Sequence, residues 1–341
     1  MRIAVTGCCG FIGSHFAEMA LAAGHDLIGV DAMMYSGRKK NMSEMPGWFA
    51  FYKCDINDAE MIGALLREHQ PDAIVHFAAE THVARSIESR EEFLRTNVLG
   101  TNVLLEESLK YWRGGRKPED AAGDKPVRDG FRFLHVSTDE VYGSLGADEQ
   151  AWTEDSPYLP NNPYAASKAA SDHLVRSYHH TYGLPAIITH AANNYGTKQH
   201  PEKLIPTLIR QCMNGEPMTL HGDGQQKRDW LHVDDHCRGL LAALEHGKVG
   251  EVYNFGGDCE LRNYDIAVKI GNRIRHMSND TMSPGIVYIA DRAGNDRRYL
   301  MSNTKVQTEL DWFTRNGIEA SLPEIIEWYF AHPNYGEEYG R

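Results

Sequence analysis

The run Gly7-Cys-Cys-Gly10-Phe-Ile-Gly13 lies between an apolar strand pattern, Arg2 to Thr6, and a helical pattern from His15 to Ala23 that Gly24 ends. No other feature of the chain leaves so few folds open. Glycines at this spacing permit a tight turn and a close approach of backbone to ligand, so a pyrophosphate can rest on the helix N-terminus. A second strand pattern, Leu27 to Val30, ends at Asp31, eighteen residues past Gly13. That is close to the spacing of a carboxylate that hydrogen-bonds an adenosine ribose, and its charge repels a 2′-phosphate. The unit predicts a dinucleotide site that favours NAD over NADP. Arg38 and Lys39 nearby keep NADP open.

Strand and helix patterns then alternate. Phe49 to Cys54 reads as a strand ending at Asp55, Ala59 to Glu68 as a helix, and Pro71 to Ala79 as a strand. Glu91 to Tyr111 has one long amphipathic period. Residues 113–129, rich in Gly, Pro and charge, predict a mobile surface loop. Phe131 to Val136 is another strand, Tyr164 to Tyr182 a helix stopped by Gly183 and Pro185, and Ala186 to His190 a further strand. Such alternation predicts an α/β chain with a doubly wound parallel sheet. Beyond it the pattern becomes irregular, as suits a part that grips a substrate.

Composition narrows the partners. The 341 residues carry a net charge of −12, with 42% apolar and 24% charged residues. This describes a globular chain and argues against nucleic acid or an anionic membrane as the main partner, though not against a small anionic ligand. Six scattered cysteines (8, 9, 54, 212, 237 and 259) show no C-x-x-C spacing and read as reduced thiols of a cytoplasmic protein. A strand pattern already present at Ile3 leaves no room for a signal peptide, and no apolar run reaches membrane-spanning length. Of seventeen histidines, His135, His179, His180 and His232 lack ligand spacing with acids, so they read as core or surface and no metal is expected.

The chemistry concentrates between Phe131 and Lys168. The strand from Phe131 ends in Ser137-Thr138-Asp139-Glu140, and Tyr164 and Lys168 follow one helical turn apart. Side chains at i and i+4 share a helix face. An ammonium there lowers a phenol from its usual pKa of about 10, making Tyr164 a base near neutral pH. The same spacing also occurs on plain helix surfaces.

With these residues, the chain resembles the extended short-chain dehydrogenase/reductases, and among them the nucleotide-sugar 4,6-dehydratases, nearest the dTDP-glucose branch. The resemblance runs from Gly7 to about Trp328. Its markers are G-C-C-G-F-I-G-S at 7–14, H-F-A-A-E-T-H-V at 76–83, T-N-V-L-G-T at 96–101, S-T-D-E-V-Y-G at 137–143 and N-P-Y-A-A-S-K at 162–168. N-N-Y-G at 193–196, P-E-K-L-I-P at 201–206, R-D-W-L at 228–231 and D-R-A-G-N-D-R-R-Y at 291–299 complete it. The family implies a Rossmann domain over 1–190 with a return segment near 229–256, and a smaller, mainly substrate-binding domain over 191–341. It implies NAD held by Gly7, Gly10, Phe11, Ile12, Gly13, Asp31, Asp55, Ile56, Phe77, Ala78, Ala79, Thr81, Thr96, Tyr164 and Lys168. A nucleoside-diphosphate hexose would meet Thr81, Asn193, Lys203, Leu204, Thr219, His221, Arg228, Asn263, Arg297 and Tyr299, with Arg228 and Arg297 clamping the diphosphate.

The implied catalytic set is Thr138, Asp139, Glu140, Tyr164 and Lys168. Tyr164 takes the 4-hydroxyl proton while C4 gives up hydride, Glu140 removes the C5 proton, and Asp139 in its acid form protonates the departing C6 oxygen. Thr138 bonds the oxygen at C4, and hydride returns to C6. Helices Leu94–Tyr111 and Ala165–Tyr182 would pair across a two-fold axis as a homodimer. Departures from the family pattern fall elsewhere: Ala32, Met34, Ala84, Ala191, Ala192, Thr219 and His221. His221 stands where the dTDP enzymes commonly have Tyr and resembles UDP-glucose-using relatives, so the nucleobase stays open. A 4-epimerase, a 5,6-dehydratase and a non-catalytic sugar-nucleotide-binding protein are the other readings.

Overall fold

The computed structural model describes residues 1–42, 45, 47, 49–114, 128–279 and 285–335. Most of the 113–129 loop therefore lies outside the described residues. The chain begins with β1 (Arg2–Thr6), the glycine turn and α1 (Phe11–Ala22), then β2 (Asp26–Asp31), β3 (Phe49–Lys53), α2 (Ala59–His69) and β4 (Ala73–His76). β4 stops three residues short of the expected Ala79. Beyond His76 the chain bends over Gly7, and the Ala78 N–H donates to the Thr6 hydroxyl at 3.3 Å instead of continuing the ladder.

The long helix expected over 91–111 runs without interruption but changes type: after α3 (Val83–Glu88), α4 (Arg90–Phe93), a π-helical stretch over Leu94–Gly100 and α5 (Thr101–Trp112) follow one another with right-handed helical dihedrals at both junctions. Tertiary contacts override the 3.6-residue period here. Asn97 is buried and bonds both the N–H and the carbonyl of Glu80, as well as the Ser167 hydroxyl. Gly100 lets Ile56 pack where a Cβ would stand 2.6 Å from its Cδ1.

β5 (Arg132–Thr138), α6 (Pro163–Tyr182) and β6 (Ala186–Ala191) follow. Asn162 caps α6 by accepting from the Ala165 N–H at 2.9 Å, Pro163 fits the first turn, and Gly183 ends the helix at φ 74°. Next come β7 (Asn193–Tyr195), α7 (Leu204–Met213), β8 (Met218–His221), β9 (Lys227–His232), α8 (Val233–His246) and β10 (Val252–Phe255). The described residues end with β11 (Glu260–Arg262), α9 (Asn263–Met277), β12 (Ile286–Ile289), α10 (Thr304–Leu310) and α11 (Ile318–Ala331).

The main sheet is parallel throughout, in the order β10-β6-β5-β4-β1-β2-β3. This is a doubly wound Rossmann sheet. One of its faces packs Phe16 and Ala17 of α1 with Leu240 and Leu244 of α8, and the other packs Leu65, Leu66, Leu105 and Val175 of α2, α5 and α6. A third core joins α7, α9 and α11 through Leu208, Ile266, Ile270 and Ile325. Beside it lie two small sheets, β11-β9-β7 and β12-β8. The strand order reverses between β1 and β4, and at the carboxyl ends on either side of that point stand Gly7, Asp31, Phe77 and Thr138. Ligands bind at such a switch point. No helix among the described residues is long and apolar enough to cross a membrane.

Candidate active site

The glycine turn is a cradle only glycine can form. Gly7 has φ 70°, and a Cβ on it would lie 2.7 Å from the Ala78 nitrogen; on Gly13 a Cβ would lie 2.2 Å from the Gly7 carbonyl oxygen. No side chain caps α1, and its first turn holds no acid, so the turn's free N–H groups face outward for an anion. Asp31 accepts from the Cys9 N–H at 2.9 Å and the Met33 N–H at 2.8 Å. Burial pushes its carboxyl above the ordinary range, against the pull of those two donors. Spare lone pairs remain for a ribose. The Cys8 and Cys9 thiols and Asp31 lie within 4.8 Å of one another, and a hydrogen bond to Cys9 together with burial pushes the Cys8 thiol up, which disfavours the thiolate a metal requires. These residues fit a dinucleotide.

The remaining cofactor candidates spread along the same edge. Phe77 packs on Phe16 with ring centroids 5.3 Å apart. Ile56 is buried, while Asp55 is half exposed, bonds Asn57 and pairs with Arg95 at 3.7 Å. Phe11, Ile12, Ala79, Thr81 and Thr96 are partly buried, and the Thr81 carbonyl accepts from the Lys203 ammonium at 3.2 Å. Thr96 lies in the π turn next to Asn97, and it is Asn97 that makes the bonds.

Beyond β5, residues Asp139–Tyr142 form a 3-10 turn that keeps the acidic pair within the protein. The Thr138 hydroxyl donates to Asp139 Oδ1 at 3.2 Å and accepts from the Glu140 N–H at 3.3 Å. Asn162 donates to Glu140 Oε2 at 3.2 Å. Asp139 is 1% exposed, and its Oδ2 has no partner. Burial first, then the fields of Glu140 and Asp229, hold its carboxyl well above the usual range despite Arg228. Burial also raises Glu140, but Asn162, Lys203 and Arg228 pull it back. Both carboxyls are raised by burial, but Glu140 has the Asn162 donor and two cations stabilising its charged form, against Thr138 and one cation for Asp139, so the two are unequal, as an acid/base pair requires.

Tyr164 and Lys168 lie on the inward face of α6, both buried. Here the structure corrects an expectation. In the ligand-free protein the Tyr164 phenol is pushed up, not down, by burial and by the Glu140, Asp139 and Asp172 charges, against an interaction with Thr138. Lys168 spends its ammonium on the Val136 carbonyl at 2.9 Å, and burial lowers it to about 8. Sequence spacing puts the two on one face of α6, where both are buried, but does not weigh desolvation against charge.

Across the cleft, Arg228 donates to the Asp296 carbonyl at 2.8 Å and Asn295 at 3.2 Å, and lies 4.2 Å over the Tyr299 ring. The Tyr299 hydroxyl donates to Asp296 at 2.6 Å. Lys203 is partly buried, with Glu202 and Glu140 opposing the desolvation that lowers it, and Leu204 beside it opens α7. Asn193 and Asn263 each leave a buried carbonyl oxygen without a partner. Thr219 is tied to Gln211 in both directions, at 2.9 and 3.0 Å, and His221 Nδ1 meets the Ala290 carbonyl at 3.0 Å.

Arg297 does not join this cluster. It is exposed and paired bidentately with Asp223 at 2.8 and 3.1 Å. It falls on the outer side of an extended segment, bridged to β9 at Lys227–Arg298, that lays Asp296 and Arg298 inside. Arg292 of the same motif turns inward instead. Its Nε is buried without a partner, and it shares fields with Arg228 and Glu140. Arg292, Asn97, Asn162 and Asp172 are the site residues the sequence reading did not single out. Arg292 lay in a quoted motif, and Asn162-Pro163 carries a helix-cap signal.

The GDP-mannose 4,6 dehydratase family model matches residues 4–325. A dTDP-glucose 4,6-dehydratase of Xanthomonas campestris is 44% identical over 337 residues, 97% of this chain and 93% of that protein. The crystal structure of a dTDP-glucose 4,6-dehydratase from Streptomyces venezuelae, with NAD bound, is 40% identical, covers 99% of both chains and superposes with a TM-score of 0.87. A UDP-glucose 4-epimerase from Thermotoga maritima, 28% identical over 98% of this chain and all of its own, has a TM-score of 0.83. The fold is thus common to several reactions, while sequence identity separates this chain from the epimerase. The chain belongs to the nucleotide-sugar 4,6-dehydratase family, on its dTDP-glucose 4,6-dehydratase branch.

Proposed function

We propose that this protein is a hydro-lyase that converts dTDP-glucose to the 4-keto-6-deoxy sugar with a bound NAD that it recycles. One observation carries the reading. Asp139 is held as a buried acid beside Glu140, which has donors of its own, and both acids act electrostatically on Tyr164. An epimerase has no step for that pair.

The Gly7–Gly13 turn with Phe11 and Ile12, together with Asp31, Asp55, Ile56, Phe77, Ala78, Ala79, Thr96 and Lys168, would hold NAD. When bound, NAD supplies the hydride acceptor for C4 and the hydride donor for C6. Tyr164 accepts the 4-hydroxyl proton as the C4 ketone forms, and the ketone acidifies C5–H. Glu140 takes that proton while Asp139 gives its own to the C6 oxygen, which leaves as water. Glu140 returns a proton to C5 as C6 receives hydride. The proton left on Tyr164 then resets Asp139, and Thr138, bonded to Asp139 Oδ1, stands between them. Arg228, Arg292 and Lys203 supply the positive charge for a diphosphate, Asn193 and Asn263 offer unpaired carbonyl oxygens, and Thr81 lies on the sugar side. Thr219 and His221 stand on β8 for the base.

The reading assigns β1 through β6, with the returning α8 and β10, to the cofactor, and the third core with its small sheets to the substrate. It extends to a homodimer, supported by Leu94 and Leu99 of the π turn at 53% and 59% exposure, and to the cytoplasm, supported by six free cysteines. The test is NMR of the product after incubation with dTDP-glucose and, separately, UDP-glucose, without added cofactor. A 4-keto-6-deoxy product, formed faster from dTDP-glucose, supports the reading. Product from UDP-glucose alone overturns the nucleobase, and none from either overturns the substrate.

A further inference from the structure

Tyr164, Lys168 and Asp172 follow one another at four-residue steps on one face of α6. Asp172 is 1% exposed, far too buried to stay charged without partners. Its Oδ2 has them: the Ser137 hydroxyl of β5 donates to it at 3.0 Å. His135 Nε2, also from β5, comes to 3.2 Å of Oδ1 as a close electrostatic contact without hydrogen-bond geometry. From β6, His190 Nε2 comes to 3.1 Å of Oδ2. The Tyr158 hydroxyl lies 2.9 Å from the same ring nitrogen. On the other side of that ring, Nδ1 meets the Tyr142 hydroxyl at 2.8 Å and Asn254 Oδ1 at 3.1 Å. His135 Nε2 also lies 3.5 Å from the Lys168 ammonium, so this imidazole stands between the cation and the carboxylate. Behind it is the ring of His76 from β4, with centroids 5.2 Å apart.

We infer that Asp172, clamped by His135, His190 and Ser137, is the buried counter-charge that keeps Lys168 an ammonium ion. It is a positioning residue that touches neither substrate nor cofactor: it acts through Lys168, while its charge also reaches Tyr164 and raises that phenol, and the inference rests on the reading that Lys168 works in the site. The alternative for such a cluster is a polar staple that locks α6 to β5 and β6. That staple would leave the charge of Lys168 where it is.

The electrostatics favour the first account. Burial drives Lys168 towards the neutral amine, and the charge that opposes this is Asp172. Burial also raises Asp172, yet the His135 and His190 contacts outweigh it and hold the carboxyl below its ordinary range. His135 is lowered to about 4 by burial and by Lys168, so at neutral pH it is uncharged and adds no cation of its own, its single Nε2 serving Asp172 as a donor or Lys168 as an acceptor. His76 is lowered likewise by burial, His135 and Lys168. Tyr142 and Tyr158 are pushed up by burial and stay neutral. Asp139 and Glu140, on the turn after β5, act on Tyr164.

The experiment compares wild type with D172N and D172E. Activity is followed from pH 6 to 9, and the Lys168 side chain is titrated by carbon-13 NMR of Cε-labelled lysine, its resonance assigned by loss in K168M. In wild type the alkaline fall in turnover and the Lys168 titration lie near pH 8. D172N moves both down by about one unit or more, the size of a nearby opposite charge, and D172E restores them. Limb and resonance both unmoved in a folded D172N overturn the inference. Where D172N does not fold, H190Q, which strips a partner from Asp172 and leaves the contacts of Lys168 alone, takes its place with the same two outcomes, and a wild-type Lys168 amine already neutral at pH 6 overturns the inference outright. A K168M enzyme that turns over normally overturns the reading of Lys168 itself, whatever Asp172 does.

Discussion

Replacing Asp139 with Asn keeps the side chain's size and leaves its oxygen available to Thr138, but removes the proton it carries. The account predicts that stability and activity then move in opposite directions. In the unfolded chain an Asp carboxyl ionises near pH 4. In the folded protein burial, Glu140 and Asp229 hold the proton on Asp139 well above that. Below pH 4 both states are protonated and the residue's stabilising contribution is fully present. Above it the unfolded chain sheds the proton while the folded chain keeps it. Each further unit then subtracts about 1.4 kcal/mol, until Asp139 itself ionises. Asn has no such linkage. Above pH 5, D139N therefore gains on wild type until Asp139 itself ionises, read as a gap in urea midpoints that widens with pH. Its turnover falls about 10²–10⁴-fold, the usual worth of a placed acid. Substrate recovered from heavy water still gains deuterium at C5, because Tyr164 and Glu140 remain. A D139N protein whose stability gap does not change with pH, or which still makes product at the wild-type rate, refutes the assignment of Asp139 as a buried acid.

Glu140→Gln abolishes both product formation and deuterium entry at C5, since the base is gone; deuterium at C5 in that variant contradicts its role. Gly13→Ala puts a Cβ 2.2 Å from the Gly7 carbonyl oxygen, so the backbone must open by roughly an ångström, while Gly10→Ala meets the same atom at 3.3 Å. Misplacement on that scale costs about 10²-fold in a positioned reaction. NAD released from purified, acid-quenched protein should fall at least tenfold for the first variant relative to the second. Arg292→Ala raises KM for the nucleotide sugar about tenfold or more by removing a charge-assisted contact. Arg297→Ala, which only frees an exposed pair with Asp223, stays within about twofold of wild type. The reverse order in steady-state kinetics contradicts the inward placement of Arg292.

The sheet was legible because its signals are local. A glycine turn, strand periods and the Asn162-Pro163 cap fix each unit without knowledge of the rest. The positions of Thr138, Asp139 and Glu140 at one strand end, and of Tyr164 and Lys168 on one helix face, were legible for the same reason, while their roles came from the family resemblance. What escaped depends on contacts between distant segments. The π turn at Leu94–Gly100 follows from Asn97 reaching Glu80 and Ser167, 17 and 70 residues away. Arg297 and Arg292 are equally charged in sequence, and only the bridge to β9 decides which faces in. The Tyr164 phenol was read from its cationic neighbour alone, whereas burial and the Glu140, Asp139 and Asp172 carboxyls push it up. Asp172 is one helical turn past Lys168, but its importance appears only when β5 and β6 bring His135 and His190 against it.

The central claim is that the hydride lost from C4 returns to C6 within one bound molecule. It is tested by supplying the protein, with no added cofactor, with dTDP-glucose that carries deuterium at C4, and following the label by NMR. The account predicts a 4-keto product whose C6 methyl group carries one deuterium. Deuterium still at C4, in a sugar of either configuration and without a new methyl group, contradicts it.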